Sequence, residues 1–205
     1  MEIILASESP RRKELLDWLE IPFEMVPSDL DESLVKCDEV EELVEELALQ
    51  KALKVADKVD EGVVIGADTV VELNGEIIGK PANREEAFVT ISKLVGEKHR
   101  VLTGIALVDV ETGEKLVEHE ESYVVFRHLQ RDEIEKYLDT GIWKGKAGGY
   151  GIQEDPDKLV TFVEGSFTNV VGLPLIRLGR LLQEFGVYIR VDLDRVVEDK
   201  TGYKS

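Results

Sequence analysis

An aspartate inside an otherwise apolar run needs a chemical reason to be there. In Gly66-Ala67-Asp68-Thr69-Val70-Val71, Asp68 interrupts a stretch that reads as central strand. Burying a carboxylate is costly unless a metal, a cation or hydrogen bonds compensate. Two readings stand: a structural aspartate capping a turn between two strands, or a carboxylate at a strand end beside a phosphate pocket, where Mg2+ is usually held. Gly79-Lys80-Pro81 follows, and a hairpin folds it back toward Asp68. It is not a Walker loop, since Pro81 replaces the Ser or Thr that motif needs. Upstream, Ser7-Glu8-Ser9-Pro10-Arg11-Arg12 runs from a strand into a helix N-terminus, whose free N–H groups suit phosphate. Arginines in a first helical turn oppose the helix dipole. An anion site therefore explains Arg11 and Arg12 better than an ordinary Ser cap with two solvated side chains, the more so because guanidinium pairs bidentately with phosphate. Lys51 lies four residues after Leu47 and four before Val55, within the apolar stripe of its helix. It either snorkels, the ordinary outcome for such a lysine alone, or reaches a buried anion. Lys146-Ala147-Gly148-Gly149-Tyr150-Gly151-Ile152-Gln153 is a flexible surface loop or a ligand loop. Its glycines permit close backbone approach, and Gln153 can both donate to and accept from an imide-type base edge.

The elements that must position these residues alternate. Glu2 to Ala6 reads as a strand, and Ser9-Pro10 starts a helix with Leu15, Trp18 and Leu19 on its buried face. Phe23 to Val26 is strand-like, and a long helix covers Val40 to Val59. Val63 to Ala67 and Thr69 to Leu73 are strands, and Asn74-Gly75 turns the chain into Glu76 to Ile78. A capping box begins a helix at Asn83 that ends at Gly96. Arg100 to Val110 and Lys115 to Phe126 form a second hairpin, and Asp132 to Leu138 is helical. The four glycines between Lys144 and Gln153 preclude a regular element. Leu159 to Val163 reads as a strand, Pro174 to Phe185 as an amphipathic helix and Val187 to Val191 as a last short strand. Helices alternating with strands, interrupted by two hairpins, give an α/β class with a mixed sheet rather than a doubly wound parallel one.

Composition bounds the partners. The 205 residues are 43% hydrophobic and 33% charged, with a net charge of −18. That field opposes nucleic acid and anionic membranes but not an anionic small molecule, because salt screens distant charges within about 8 Å. Nine acids stand between Asp29 and Glu46 against the single base Lys36, most of them expected as a solvated helix entry. No run is long and apolar enough to span a bilayer, and no signal-peptide pattern opens the chain, so a cytoplasmic protein is expected. The single cysteine, Cys37, excludes an internal disulfide, and its acidic setting predicts an inert thiol. His99, His119 and His128 lack ligand spacing, and neither a G-x-S-x-G elbow nor a G-x-G-x-x-G fingerprint occurs.

Taken together, Leu5-Ala6-Ser7-Glu8-Ser9-Pro10-Arg11-Arg12, Gly66-Ala67-Asp68-Thr69, Gly79-Lys80-Pro81, Lys146 to Gln153 and Gly172-Leu173-Pro174 resemble, in order and spacing, the Maf family of septum-formation-inhibitor-like nucleoside triphosphate pyrophosphatases. The resemblance runs from Leu5 to about Leu182. It implies an elongated, two-lobed inosine-triphosphatase-like (Maf/Ham1) fold with a central cleft; a single domain over 1–191 is expected, and the segment after Asp192, which has no clear counterpart in the family, is expected to be a surface tail over 192–205. It implies hydrolysis of a nucleoside triphosphate to the monophosphate and pyrophosphate with Mg2+ or Mn2+, and the loop sequence resembles the branch acting on dTTP and UTP. By position, Asp68 corresponds to the catalytic acid/base residue and Glu32 to the polar pocket; the expected mechanism has Asp68, with Glu32 as second carboxylate, hold the metal and orient or deprotonate water. Lys51 and Lys80 complete the catalytic set. Ser7, Arg11, Arg12, Thr69, Lys146 and Gln153 correspond to substrate-binding residues, with Arg11, Thr69 and Gln153 linked to substrate choice. Gly149 and Glu154 depart from the family pattern, which has alanine and glycine there. Rival expectations are a pyrophosphatase for inosine or xanthosine triphosphate and a non-catalytic nucleotide-binding regulator of cell division. A homodimer is also expected from the resemblance.

Overall fold

The computed structural model describes residues 1–154 and 159–203. Strands β1 (Ile3–Leu5), β2 (Glu24–Met25), β3 (Val63–Leu73), β4 (Glu76–Ile78), β5 (Lys98–Asp109), β6 (Lys115–Phe126) and β7 (Val160–Glu164) form one sheet. Its order is β2-β1-β3-β5-β6-β7, with β4 paired to β3. β1 is parallel to β2 and β3, and the remaining pairs are antiparallel. The mixed sheet expected from the sequence is therefore present. The helices are α1 (Pro10–Asp17), α2 (Val40–Ala56), α3 (Arg84–Leu94), α4 (Arg131–Asp139), α5 (Phe167–Val171), α6 (Leu175–Glu184) and α7 (Leu193–Thr201). None is long and apolar enough to cross a membrane, among the described residues.

Two cores share the long strands. At one end Leu5, Leu15, Leu16, Ile65, Leu107, Leu173 and Leu178 pack together. At the other, Val71, Ile91, Val101, Phe126, Tyr137, Trp143 and Tyr150 do so beneath α3 and α4. In a strand every second side chain shares a face. Thr69 therefore shares a face with Ile65 and Val71, and Thr103 with Leu107 and Val101. Both threonines sit where one core ends and the next begins. Asp68 points to the opposite face, the one α2 covers.

α2 lies unusually close to that face. A Cβ on Gly66 would stand 2.0 Å from the carbonyl oxygen of Ala48, and one on Gly104 would stand 2.0 Å from that of Val44. Only glycine at both positions lets the helix backbone rest on β3 and β5, which brings Lys51 down onto Asp68. The outer edge of β3 is also interrupted. β1 pairs with it up to Leu5↔Ile65, and β4 resumes only at Val71↔Ile78. Residues 66–70 thus face a gap flanked by the start of α1 and the end of β4, among the described residues.

Three local expectations are corrected. Asp68 does not split two strands, because β3 runs unbroken through it. Residues 187–191 form no strand: Val187 and Ile189 satisfy their alternation by packing on the first core. The segment after Asp192, expected as a surface tail, carries α7, whose Val197 is 2% exposed, and Tyr203 stacks on Phe167 at 4.7 Å.

Candidate active site

The gap in the sheet edge opens into a cleft of about 400 Å³ lined by Arg11, Arg12, Asp68, Thr69, Lys80, Lys146, Gln153 and Glu154. α1 enters it N-terminus first. The Ser9 hydroxyl caps the helix by accepting from the Arg12 N–H at 3.4 Å, and Pro10 takes the first helical position, where no N–H is needed. Ser7 is buried, and its hydroxyl accepts from the Ser9 N–H at 3.1 Å. It braces the turn and is not among the residues lining the cleft.

At the centre, Lys51 Nζ reaches Asp68 Oδ1 at 2.5 Å and Glu32 Oε1 at 2.7 Å. The lysine does not snorkel: its side chain is 9% exposed, and that of Asp68 is 7% exposed. Glu32 belongs to the acidic run expected to be solvated. A one-turn helix, Glu32–Leu34, capped by the Asp31 side chain, aims it inward instead. Burial pushes the Glu32 carboxyl up, but the hydrogen bond and charge of Lys51 outweigh this and hold it below the ordinary value. Lys80 Nζ, carried by the turn after β4, lies 4.0 Å from Glu32 Oε2.

Burial lowers the Arg11 and Arg12 guanidinium groups, opposed by the charge of Glu154 on Arg11 and of Asp68 on Arg12. Both stay cationic, as arginine does in proteins. Arg12 Nε donates to the Gly172 carbonyl at 2.8 Å and Nη2 to Thr69 Oγ1 at 3.0 Å.

The glycine loop is folded, not free. The Gly148 N–H donates to the Gly79 carbonyl at 3.1 Å, and Tyr137 OH donates to the Gly149 carbonyl at 3.1 Å. The first bond holds the Lys146 loop against the Lys80 turn, and the second ties it to α4. Lys146 Nζ bonds the Ile142 carbonyl and pairs with Glu154 Oε2 at 2.8 Å, so a carboxylate inside the cleft already neutralises one of its cations. The four residues after Glu154 lie outside the described ones.

Tyr150 anchors the same loop through a buried group the sequence reading passed over. Its hydroxyl is 2.9 Å from His99 Nε2, and the two rings meet edge-on at 5.5 Å. Burial pushes the His99 imidazole down to about 4. The unfolded chain, with an ordinary histidine near 6.5, takes up this proton first, so His99 adds stability that is full above about pH 6.5 and is lost as pH falls toward 4. The expected result is an NMR titration midpoint of the His99 ring near pH 4 in the folded protein. A midpoint near 6.5 would contradict the buried neutral ring.

Of the ten residues singled out from the sequence, seven line one cleft; Lys51 and Glu32 join it through Asp68 and Lys80, and Ser7 stands behind it. Thr103 was missed. A hydroxyl inside Val101-Leu102-Thr103-Gly104-Ile105 was the available signal, but threonine is at home in strands.

The donor set suits a hard divalent cation shared with a ligand. Two carboxylates converge on one ammonium, and such oxygens, completed by phosphate and water, are what Mg2+ takes. Among the described residues no group of three His, Cys, Asp or Glu gathers to hold a metal without such help.

A family model described as "Maf-like protein" matches residues 2–185. The chain is 46% identical over 187 residues to a dTTP/UTP pyrophosphatase of Desulforamulus reducens, covering 91% of this chain and 98% of that one. It is 47% identical over 185 residues to a dTTP/UTP pyrophosphatase of Symbiobacterium thermophilum, covering 90% and 94%. Among solved structures, the Staphylococcus aureus Ham1 protein is similar at a TM-score of 0.50 and 16% identity, over 91% of this chain and 100% of that one, a likeness of fold. With a matching family model over most of its length and relatives of this identity, the chain belongs to the Maf family.

Proposed function

We propose that the chain hydrolyses dTTP and UTP to the monophosphate and pyrophosphate. One observation carries the reading: Arg11, Arg12, Lys80 and Lys146 line one cleft with a buried carboxylate, Asp68. The relatives named for this activity support it. Each cation within about 4 Å of a phosphate charge contributes on the order of 4 kcal/mol at an effective dielectric of about 20. Four of them outweigh the remote net charge of −18.

Arg11 and Arg12, at the mouth of α1, grip the triphosphate with planar donors matched to its oxygens. Lys51 pairs with Asp68 and Glu32 and holds the two carboxylates close together. Asp68 accepts a hydrogen bond from the attacking water and takes its proton as the water meets the α-phosphorus. Lys80 and Lys146 stabilise the charge gathering on the departing pyrophosphate, Lys146 exchanging Glu154 for phosphate. A divalent cation, when bound, would be held by Asp68 and Glu32 and would neutralise phosphate charge. Gln153 offers a donor and an acceptor to the imide edge of thymine or uracil.

Pyrophosphate release from a panel of nucleotides at equal concentration, with Mg2+, tests this. The expected result is dTTP and UTP ahead of every other nucleotide by about tenfold or more, as pocket hydrogen bonding allows. Preference for inosine or xanthosine triphosphate would overturn the base assignment. Tight binding without release from any nucleotide would favour a non-catalytic regulator.

A further inference from the structure

We propose that Thr103 is a positioning residue for Arg12, acting through Thr69 along a hydrogen-bond chain that can run in only one direction. This rests on the reading of the cleft as a triphosphate site. Thr103 is 0% exposed and is not itself among the residues lining the cleft. Its Oγ1 donates to the Asn169 carbonyl at 3.0 Å, which spends its single proton. The 3.0 Å contact between Thr69 Oγ1 and Thr103 Oγ1 must then be donated by Thr69. That spends the proton of Thr69, so toward Arg12 Nη2, at 3.0 Å, Thr69 can only accept. A guanidinium has donors and no acceptor, so every link is in order: Arg12 to Thr69 to Thr103 to the Asn169 carbonyl.

The consequence is directional. Thr69 and Thr103 are registered partners across β3 and β5, and a β-branched side chain in a strand has little χ1 freedom, so both hydroxyls are fixed by the sheet. Arg12 is held at a second point by the Gly172 carbonyl, 2.8 Å from Nε. Gly172 has φ +120°, and a Cβ there would stand 3.2 Å from Thr69 Oγ1 and 3.5 Å from Arg12 Nε, so glycine is required for this approach. With Nε and one Nη2 hydrogen committed to the scaffold, the plane of the guanidinium beside the cleft is fixed, and its remaining N–H groups are left for a ligand. Thr69 thus contributes to ligand binding by aiming a cation. Its own proton is not available to a ligand.

The test compares Thr103→Val, which keeps the shape and removes the hydroxyl, with Thr103→Ser, which keeps the hydroxyl. Three quantities are read: binding of inorganic pyrophosphate by calorimetry, KM and kcat for UTP, and the side-chain 15N–1H signals of Arg12, assigned with Arg12→Lys. In Thr103→Val the expected results are pyrophosphate binding weakened about tenfold, KM raised to match, kcat moved less, and Arg12 Nη hydrogens that average and exchange faster. Thr103→Ser restores all of these to within about twofold. Arg12 signals and pyrophosphate affinity unchanged in Thr103→Val, or lost equally in Thr103→Ser, would overturn the proposal. If Thr103→Val does not fold, Thr103→Ala against Thr103→Ser makes the same comparison. Wild-type protein that releases pyrophosphate from no nucleotide would overturn the pyrophosphatase reading, while the Arg12 signals still decide the relay.

Discussion

Asp68→Asn is expected to lower pyrophosphate release from UTP and dTTP by about a thousandfold or more, while the protein stays folded. The substitution keeps the shape and the oxygen that meets Lys51, so the packing of α2 on β3 survives. It removes the negative charge, and with it both the capacity to take a proton from water and half of the carboxylate pair. A general base contributes about 10² to 10⁴ in rate. Loss of cation binding adds to this, because Glu32 alone, with 43% of its side chain exposed, offers one carboxylate in water. The measurement is kcat/KM with a coupled pyrophosphate assay, beside a thermal melt. A variant within about tenfold of wild type would remove Asp68 from the chemistry, and the mechanism proposed here would fail with it.

How much of this was legible in the sequence differs from residue to residue, for physical reasons. Asp68 was legible because a charge in an apolar strand breaks a strong local rule. The arginines were legible because they sit against the dipole of a helix start. Lys51 was ambiguous. Snorkelling and pairing with a buried anion have the same one-dimensional pattern, and only the approach of α2 over Gly66 and Gly104 decides between them. Glu32, read from its surroundings alone, belonged to a solvated acidic run, and a single turn capped by Asp31 redirects it. Thr103 and His99 were illegible because each is ordinary where it stands, and each acquires meaning from a partner dozens of residues away.

The same distinction explains the errors of fold. Residues 187–191 alternate as a strand would, yet alternation records which side chains are buried, not how the backbone is paired. Val187 and Ile189 bury themselves against α6 and its neighbours without joining the sheet. α7 was overlooked because the resemblance has no counterpart there, although Asp192 caps it by accepting from the Arg195 N–H at 3.2 Å and Gly202 ends it. Mixed-sheet topology, by contrast, followed from two hairpin turns and a helix between parallel strands, all local signals.

Lys51→Met is expected to cost both activity and stability, with the stability cost dependent on pH in a definite direction. Methionine matches the length of the buried stem and leaves α2 seated, so the change isolates the charge. Without the ammonium, Asp68 and Glu32 face each other as like charges, one of them buried. Removing one partner of a buried pair typically costs about 3 to 5 kcal/mol; the low end applies here, since water reaches Glu32. In the wild type the Glu32 carboxyl is held below its ordinary value, so its contribution is present above the unfolded pKa and is lost as pH falls through the folded one. In the variant the Glu32 carboxyl loses that cation and rises, so the native state takes up a proton as pH falls, which relieves the repulsion with Asp68. The gap in urea midpoint between the two proteins should therefore be widest near pH 7 and close toward about pH 4. Turnover near pH 7 should fall by about a hundredfold or more, because the carboxylates no longer share a fixed position. Equal midpoints at both pH values, with turnover intact, would mean that Lys51 packs beside the carboxylates without governing them.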